Sequence, residues 1–340
     1  ALRVGIALSK EGKDAAIPLD GFFALHPKMP NFARAYAAKQ ALVVHATASP
    51  YRERSHFDGQ DVLETGLGGV GRSDSGWLNR ALVALPKGER IARQGGLGVG
   101  TVTPLILRGE ANVLGWSPQR VAEAPEDLAK RVLDLYQHRD PVLAKALAGG
   151  IKADQLAKGG TEMEQGGGNP AVMARAAAGA ARLMMKEDGP RVGVLSYDGW
   201  DTHANQGGAT GRLADLLDGL DRAFAAFERE FGAAWKETVI LVVTEFGRTA
   251  NINGTEGSDH GTATVAMLIG GAVRGGRVIA DWPGLKTAQL HQGRDLKPTT
   301  DLRAVMKGVM ADHLGLSANV LAERIFPDSG AVKPMSGLVA

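Results

Sequence analysis

Five side chains in three short segments have the chemistry of a shared polar site. Asp201 and His203 stand two apart in Gly-Trp-Asp-Thr-His, Glu245 opens Glu-Phe-Gly-Arg-Thr, and Asp259 and His260 are adjacent before Gly261. Carboxylates bring anionic oxygens and imidazoles bring neutral nitrogens, a donor set suited to Zn, Mn or a similar divalent ion. A fourth segment, Ser55-His56, adds a hydroxyl and another imidazole. Of the two, Ser55 is chemically the better nucleophile, and metal coordination could lower its pKa. His56 could instead be a ligand or a general acid. Plainer readings stand beside these. Asp201 and His203 could be a turn carboxylate and a surface histidine, and Glu245 the ion-pair partner of Arg248. Asp259 and His260 could be loop residues, and Ser55 a helix N-cap.

What unites the four segments is their placement. Ser55 follows an apolar run at 41–46, Asp201 one at 192–197 and Glu245 one at 238–244, and a further apolar strand is expected over 264–270. Helical patterns alternate with these runs. One spans 56–65, with Asp58 near its positive end. A long one carries Leu213, Leu216, Leu217, Leu220, Phe224, Phe227 and Phe231 at steps of three and four. The last has Asp301 as N-cap and Gly315 just past its end. Strands alternating with helices predict a mostly parallel central sheet covered on both faces. Such sheets bind ligands at the carboxyl ends of their strands.

Elsewhere the pattern is weaker. Residues 4–8 give only a short, glycine-interrupted strand piece. Residues 80–190 read as a largely helical insertion with a glycine-rich loop over 159–168 and a helix start at Asn169-Pro170. Gly66-Leu-Gly-Gly69 and Gly95-Gly-Leu-Gly98 lack the spacing of a dinucleotide fingerprint. His26, His45, His138, His291 and His313 have no polar companions and read as structural or solvated.

With 340 residues, 44% of them hydrophobic and 22% charged, the chain can bury the core of a single α/β domain spanning 1–340. Its formal charge of +2, from 39 basic and 37 acidic residues, offers no field for nucleic acid or an acidic membrane. No stretch approaches the roughly 18 apolar residues of an integral membrane segment. Cysteine is absent, which excludes disulfides, thiolate nucleophiles and Cys-ligated metals.

In combination, Arg54-Ser-His-Phe57 with Gln60, Gly199-Trp-Asp-Thr-His-Ala-Asn205, Thr244-Glu-Phe-Gly-Arg-Thr249 and Asp259-His-Gly261 resemble the domain-of-unknown-function 1501 family, from about Leu2 to about Phe326. That family is similar to the alkaline phosphatase and sulfatase superfamily. The resemblance implies a three-layer α/β/α sandwich and a metal-dependent hydrolase of phosphate or sulfate esters, small or polymeric. A non-catalytic binding protein of the cell envelope on the same scaffold is the alternative. It also implies a divalent metal (Zn, Mn or Ca) held by Asp201, His203, Glu245, Asp259 and His260. Ser55 and His56 compete for the nucleophile position, at the start of a helix that ends in Thr65-Gly66. Arg52, Arg54, Asn205 and Arg248 are the expected substrate-binding residues. Members of the family are often exported to the periplasm behind a twin-arginine signal. They usually open on an apolar strand with a Gly-Gly-x-Asp-Gly-like end, which residues 1–340 do not contain.

Overall fold

The computed structural model describes residues 2–86, 95–118, 126–158 and 169–340. The strands are β1 (Ile17–Pro18), β2 (Ala24–Leu25), β3 (Ala41–Ala48), β4 (Gly96–Val99), β5 (Val113–Trp116), β6 (Val192–Leu195), β7 (Ile240–Val242), β8 (Thr264–Ile269), β9 (Arg277–Ile279) and β10 (Thr300–Asp301). The main helices are α1 (Pro30–Ala37), α2 (His56–Thr65), α3 (Trp77–Ala84), α4 (Glu126–Arg139), α5 (Pro141–Lys158), α6 (Asn169–Met184), α7 (Arg212–Phe231) and α8 (Leu302–Leu314).

The chain is α/β, and its sheets are mixed rather than mostly parallel. The five-stranded sheet runs β10-β3-β8-β7, with β9 also on β3. Strands β9 and β10 pair parallel to β3, but β8 runs against both β3 and β7. A separate three-stranded sheet, β5-β4-β6, is wholly parallel. Strands β4 and β5 lie inside the expected helical stretch 80–190, so that stretch shares a sheet with β6. The glycine-rich loop expected over 159–168 and the side chain of His138 lie outside the described residues.

The strand that carries the core is β3, buried along nearly its whole length. Leu42 and Val44 face α8 through Leu302, Val305 and Met306. Val43, on the opposite face, joins Phe32 of α1 and Leu220 and Phe224 of α7. Alternate side chains of one extended strand thus feed two layers, as the pleat requires. Helix α7 buries one stripe, including Leu216, Leu220, Phe224 and Phe231. Asp221 on that stripe is buried because it caps α1: its carboxylate accepts from the backbone N–H groups of Asn31 at 3.0 Å and Phe32 at 2.8 Å.

Helix ends follow the sequence closely. Asp301 accepts from Arg303 N at the start of α8, and Gly315 closes it with φ of 67°. Gly66 closes α2 with φ of 70°, and a β-carbon there would lie 2.6 Å from the Phe326 ring. The expected strand at 4–8 is instead a turn, because Gly5 takes φ of 90° and Ile6 N bonds back to Arg3 O. No described helix is long and apolar enough to cross a membrane.

Candidate metal centre

Three elements deliver the site. After β3 the chain turns through Arg54, whose φ of 63° is unusual for a side-chain-bearing residue. Its guanidinium fixes that turn, donating to Asp295 at 2.9 Å and to Gln292 at 2.6 Å. The turn places His56 as the first residue of α2. Strand β6 runs on into Asp201 and His203, and β7 into Glu245 and Arg248. The segment 253–260 then laces onto the segment after β6. Asn205 N donates to Thr255 O at 2.9 Å, Gln206 N to Glu256 O at 3.0 Å and Ser258 N to Thr202 O at 3.2 Å. Asn253 adds side-chain bonds to His203 O and Asp259 Oδ1. The fit is close: a β-carbon on Gly257 would fall 2.2 Å from the His203 carbonyl carbon.

Three imidazoles converge, each anchored from behind. Nδ1 of His56 lies 2.6 Å from Glu245 Oε1, Nδ1 of His203 lies 3.1 Å from Asp259 Oδ1, and Nδ1 of His260 lies 2.9 Å from the Arg54 carbonyl oxygen. Ionised carboxylates and carbonyls only accept, so each Nδ1 donates there and each Nε2 is left to face the centre. All three Nε2 atoms point at Asp201. His203 Nε2 is 2.9 Å from Asp201 Oδ1, His260 Nε2 is 3.1 Å from the same oxygen, and His56 Nε2 is 3.4 Å from Oδ2. His56 Nε2 is buried and makes no hydrogen bond. With neutral rings, three nitrogens and a carboxylate facing one point form a donor set that a cation placed between them would satisfy. Ligand atoms of His56, Asp201 and His260 all fall within 4.8 Å of one another, a group that can hold a metal ion. Histidine ligands backed by carboxylates or carbonyls are the usual pattern in such centres.

Charge is arranged to keep Asp201 ionised. Burial opposes the carboxylate, but hydrogen bonding and attraction from Arg248, with His203 and His260 beside it, outweigh burial and hold its pKa down to about 2. Asp259 is lowered as well, first by the Asn253 hydrogen bond and then by His203. His203 and Asp259 are 45% and 46% exposed, against 33% for His56 and 25% for His260. The open side of the centre is therefore the His203–Asp259 side.

The sequence-predicted residues sort into two groups. Asp201, His203, Asp259 and His260 come together, as expected. Glu245 is beside them with both oxygens occupied, Oε1 by His56 and Oε2 by the Thr244 hydroxyl at 2.8 Å. It thus positions His56, which stands with Asp201 and His260 in the group that can hold a metal ion. Ser55 stands at the N-cap position of α2, but its hydroxyl makes no capping bond. The three expected anion-binding arginines already have protein acceptors: Arg52 the carbonyls of Ser49 and Tyr51, Arg54 Asp295 and Gln292, and Arg248 Asp201 and Ser258. Asn205 is exposed in a left-handed turn, with φ of 46°. Sequence reading missed Asn253, Gln206 and Asp295. Asn253 precedes a glycine and reads as an ordinary turn residue, while Gln206 and Asp295 carry no local signal at all. Of the companionless histidines, His26 is structural, its Nε2 2.9 Å from Gly208 O.

These features define an α/β protein with a His–Asp–His group, at strand ends, able to hold a metal ion. Residues 19–325 match the family model described as Protein of unknown function (DUF1501), and the chain belongs to that family. No curated protein and no solved structure matches it.

Proposed function

We propose that the protein is a metal-dependent hydrolase of phosphate or sulfate esters on an alkaline-phosphatase-like scaffold. The observation that carries the reading is the convergence of three Nε2 atoms on Asp201, one of them buried and without a hydrogen-bond partner. Imidazole and carboxylate donors suit Zn or Mn. A divalent cation at this place would polarise the ester and draw off negative charge as it builds on the transferring group.

The chain's own residues have distinct tasks in this reading. His56, Asp201 and His260 hold the ion, and His203 and Asp259 border it on the open side. Glu245 and the Arg54 carbonyl fix which nitrogen of His56 and His260 is free. Arg248 keeps Asp201 ionised and in place. Ser55, one residue before His56 and unused as a cap, is the nucleophile; the partial positive charge of the α2 N-terminus favours its ionised form.

The test begins with chelator-stripped protein titrated with Zn²⁺ and Mn²⁺ by calorimetry. It continues with turnover of p-nitrophenyl phosphate and p-nitrophenyl sulfate by the loaded protein. His56→Ala is expected to lose the ion. Ser55→Ala is expected to keep the ion and its thermal midpoint, since the hydroxyl makes no capping bond, while turnover falls by orders of magnitude. No ion binding at all would sink the reading. Ion binding without turnover of either ester would favour a binding protein instead.

A further inference from the structure

Asn253 and Gly254 are the one Asn-Gly pair of the chain; every other asparagine precedes a larger residue. An asparagine before glycine can close a ring on itself, because glycine has no β-carbon to screen its nitrogen. The Gly254 nitrogen attacks Cγ of Asn253 and gives up its proton, and the Cγ–Nδ2 bond breaks with loss of ammonia. Water then opens the resulting succinimide. Opening at Cγ leaves aspartate in an ordinary backbone. Opening at the main-chain carbonyl leaves isoaspartate, with the chain routed through the side chain. Water is the sole co-reactant.

At this place the attacking nitrogen is open. Gly254 is exposed, and a β-carbon on it would meet nothing within 4 Å. Among the described residues, none accepts from its N–H. The Asn253 side chain is folded over the residues that follow it. Its Oδ1 accepts from Thr255 N and Gly257 N, each at 3.0 Å, and from the Thr255 hydroxyl at 2.9 Å. What restrains the reaction is the leaving group, since Nδ2 donates to His203 O at 2.8 Å and to Asp259 Oδ1 at 2.9 Å. Both bonds belong to the lacing of segment 253–260 onto the segment after β6, so an opening of that lacing frees Nδ2.

We propose that Asn253 is a self-modification site: ring closure with Gly254 converts it to aspartate and isoaspartate and removes the brace from the His203–Asp259 side of the centre. The two bonds that restrain the reaction are the ones its products destroy. An aspartate carboxylate only accepts, so it has no hydrogen to offer His203 O or Asp259 Oδ1. Beside Asp259 it is also a like charge, which pushes the two carboxylates apart. Isoaspartate lengthens the main chain by one carbon ahead of Gly257. The fit there has no slack, since a β-carbon on Gly257 would already fall 2.2 Å from the His203 carbonyl carbon. This inference stands on amide chemistry and hydrogen bonding and not on the ester chemistry.

The experiment keeps folded residues 1–340, with no added metal, at mildly alkaline pH, which favours loss of the attacking amide proton. Samples are taken over days. Peptide mass spectrometry reads each asparagine through the mass gained when NH₂ is exchanged for OH, and electron-transfer fragmentation separates isoaspartate from aspartate. Asn253 should convert ahead of Asn205 and Asn251, which are exposed but precede glutamine and isoleucine, and should give both products. Gly254→Val, whose side chain enters open space, should hold Asn253 to the level of those two. Asn253→Asp should speed amide hydrogen exchange at Asn205, Gln206 and Ser258 and leave α7 and α8 unchanged. The converted parent, separated from intact protein by ion exchange, gives the same readout if that variant does not fold. Asn253 lasting as long as Asn205 and Asn251, or converting equally in Gly254→Val, overturns the modification site. Unchanged exchange in the aspartate form overturns its effect on the centre. None of these readouts involves metal or turnover, so failure here leaves the hydrolase test untouched, and the reverse also holds.

Discussion

His203 Nε2 and His260 Nε2 face each other at 3.0 Å, and both also lie within 3.1 Å of Asp201 Oδ1. With each Nδ1 bonded to an acceptor, the two Nε2 atoms are the ring nitrogens that a shared cation would engage. Loading Zn²⁺ should therefore shift the Nε2 nitrogen resonances of His56, His203 and His260 together. Those of His26 and His45, which lie outside the group, should stay in place. Nitrogen-15 NMR of stripped and loaded protein checks this. Unchanged signals for the three would show that the convergence is packing alone.

Glu245 acts through His56. In metal centres, replacing a carboxylate behind a histidine ligand typically lowers affinity by about 10- to 100-fold. Glu245→Gln should weaken Zn²⁺ binding by that factor and leave the thermal midpoint of stripped protein close to the parent's. A complete loss of binding, as expected for His56→Ala, would make Glu245 a direct ligand.

Arg248 controls the charge of Asp201. The Asp201 carboxyl, held down to about 2, is depressed in the folded state, so its contribution to stability is present above the ordinary carboxylate value near ~3.9 and is lost as pH falls from there towards 2. In stripped protein, Arg248→Met should raise the Asp201 titration midpoint and move that loss to higher pH. Carboxyl carbon-13 NMR with melting curves between pH 2 and 5 measures both. An unmoved midpoint would remove Arg248 from this role.

Asp221 ties α7 to the start of α1. Burial pushes its pKa up, against the hydrogen bonds from Phe32 and Asn31 that pull it down. Asp221→Ala leaves the backbone N–H groups of Asn31 and Phe32 without their acceptor in a buried place, a loss of about 1–3 kcal/mol for each group left unsatisfied. Chemical denaturation should show a fall of that order, while metal affinity at the distant centre holds.

Gly257 is where the two loops of the centre touch most closely. A β-carbon there has no free space, because the atoms it meets belong to the backbone of Thr202 and His203 and not to a movable side chain. Gly257→Ala should displace His203 and Asp259, lowering metal affinity more than it lowers the thermal midpoint. Calorimetry and melting curves on the same preparation separate the two effects.

Much of the centre was legible from residue type and place. Asp201, His203, Asp259 and His260 came together because parallel-type strands end where loops can gather polar groups. Helices α2, α7 and α8 were legible because their stripes, caps and closing glycines are local signals. Strand β4 was not, since Gly96 and Gly98 are half its residues. A β-carbon at Gly96 would crowd Leu82 and Leu107, so packing selects glycine there against strand propensity. The reversed direction of β8 was hidden too, because direction is set by the long excursion through residues 243–263 and not by the apolar run itself. The contact between Glu245 and His56 was not legible, because a carboxylate that bonds a histidine and one that faces a metal look alike in sequence.

The lacing of segment 202–206 onto segment 255–258 resembles a short ladder, though neither side is a strand and no sheet continues it. Each segment finds its backbone partners in the other, so neither has a reason to stay ordered once its counterpart leaves. The two are expected to open together, so that hydrogen exchange should give the amides of Asn205, Gln206 and Ser258 one shared opening free energy. Since His203 and Asp259 belong to those segments, an opening there would carry two polar side chains of the centre away together.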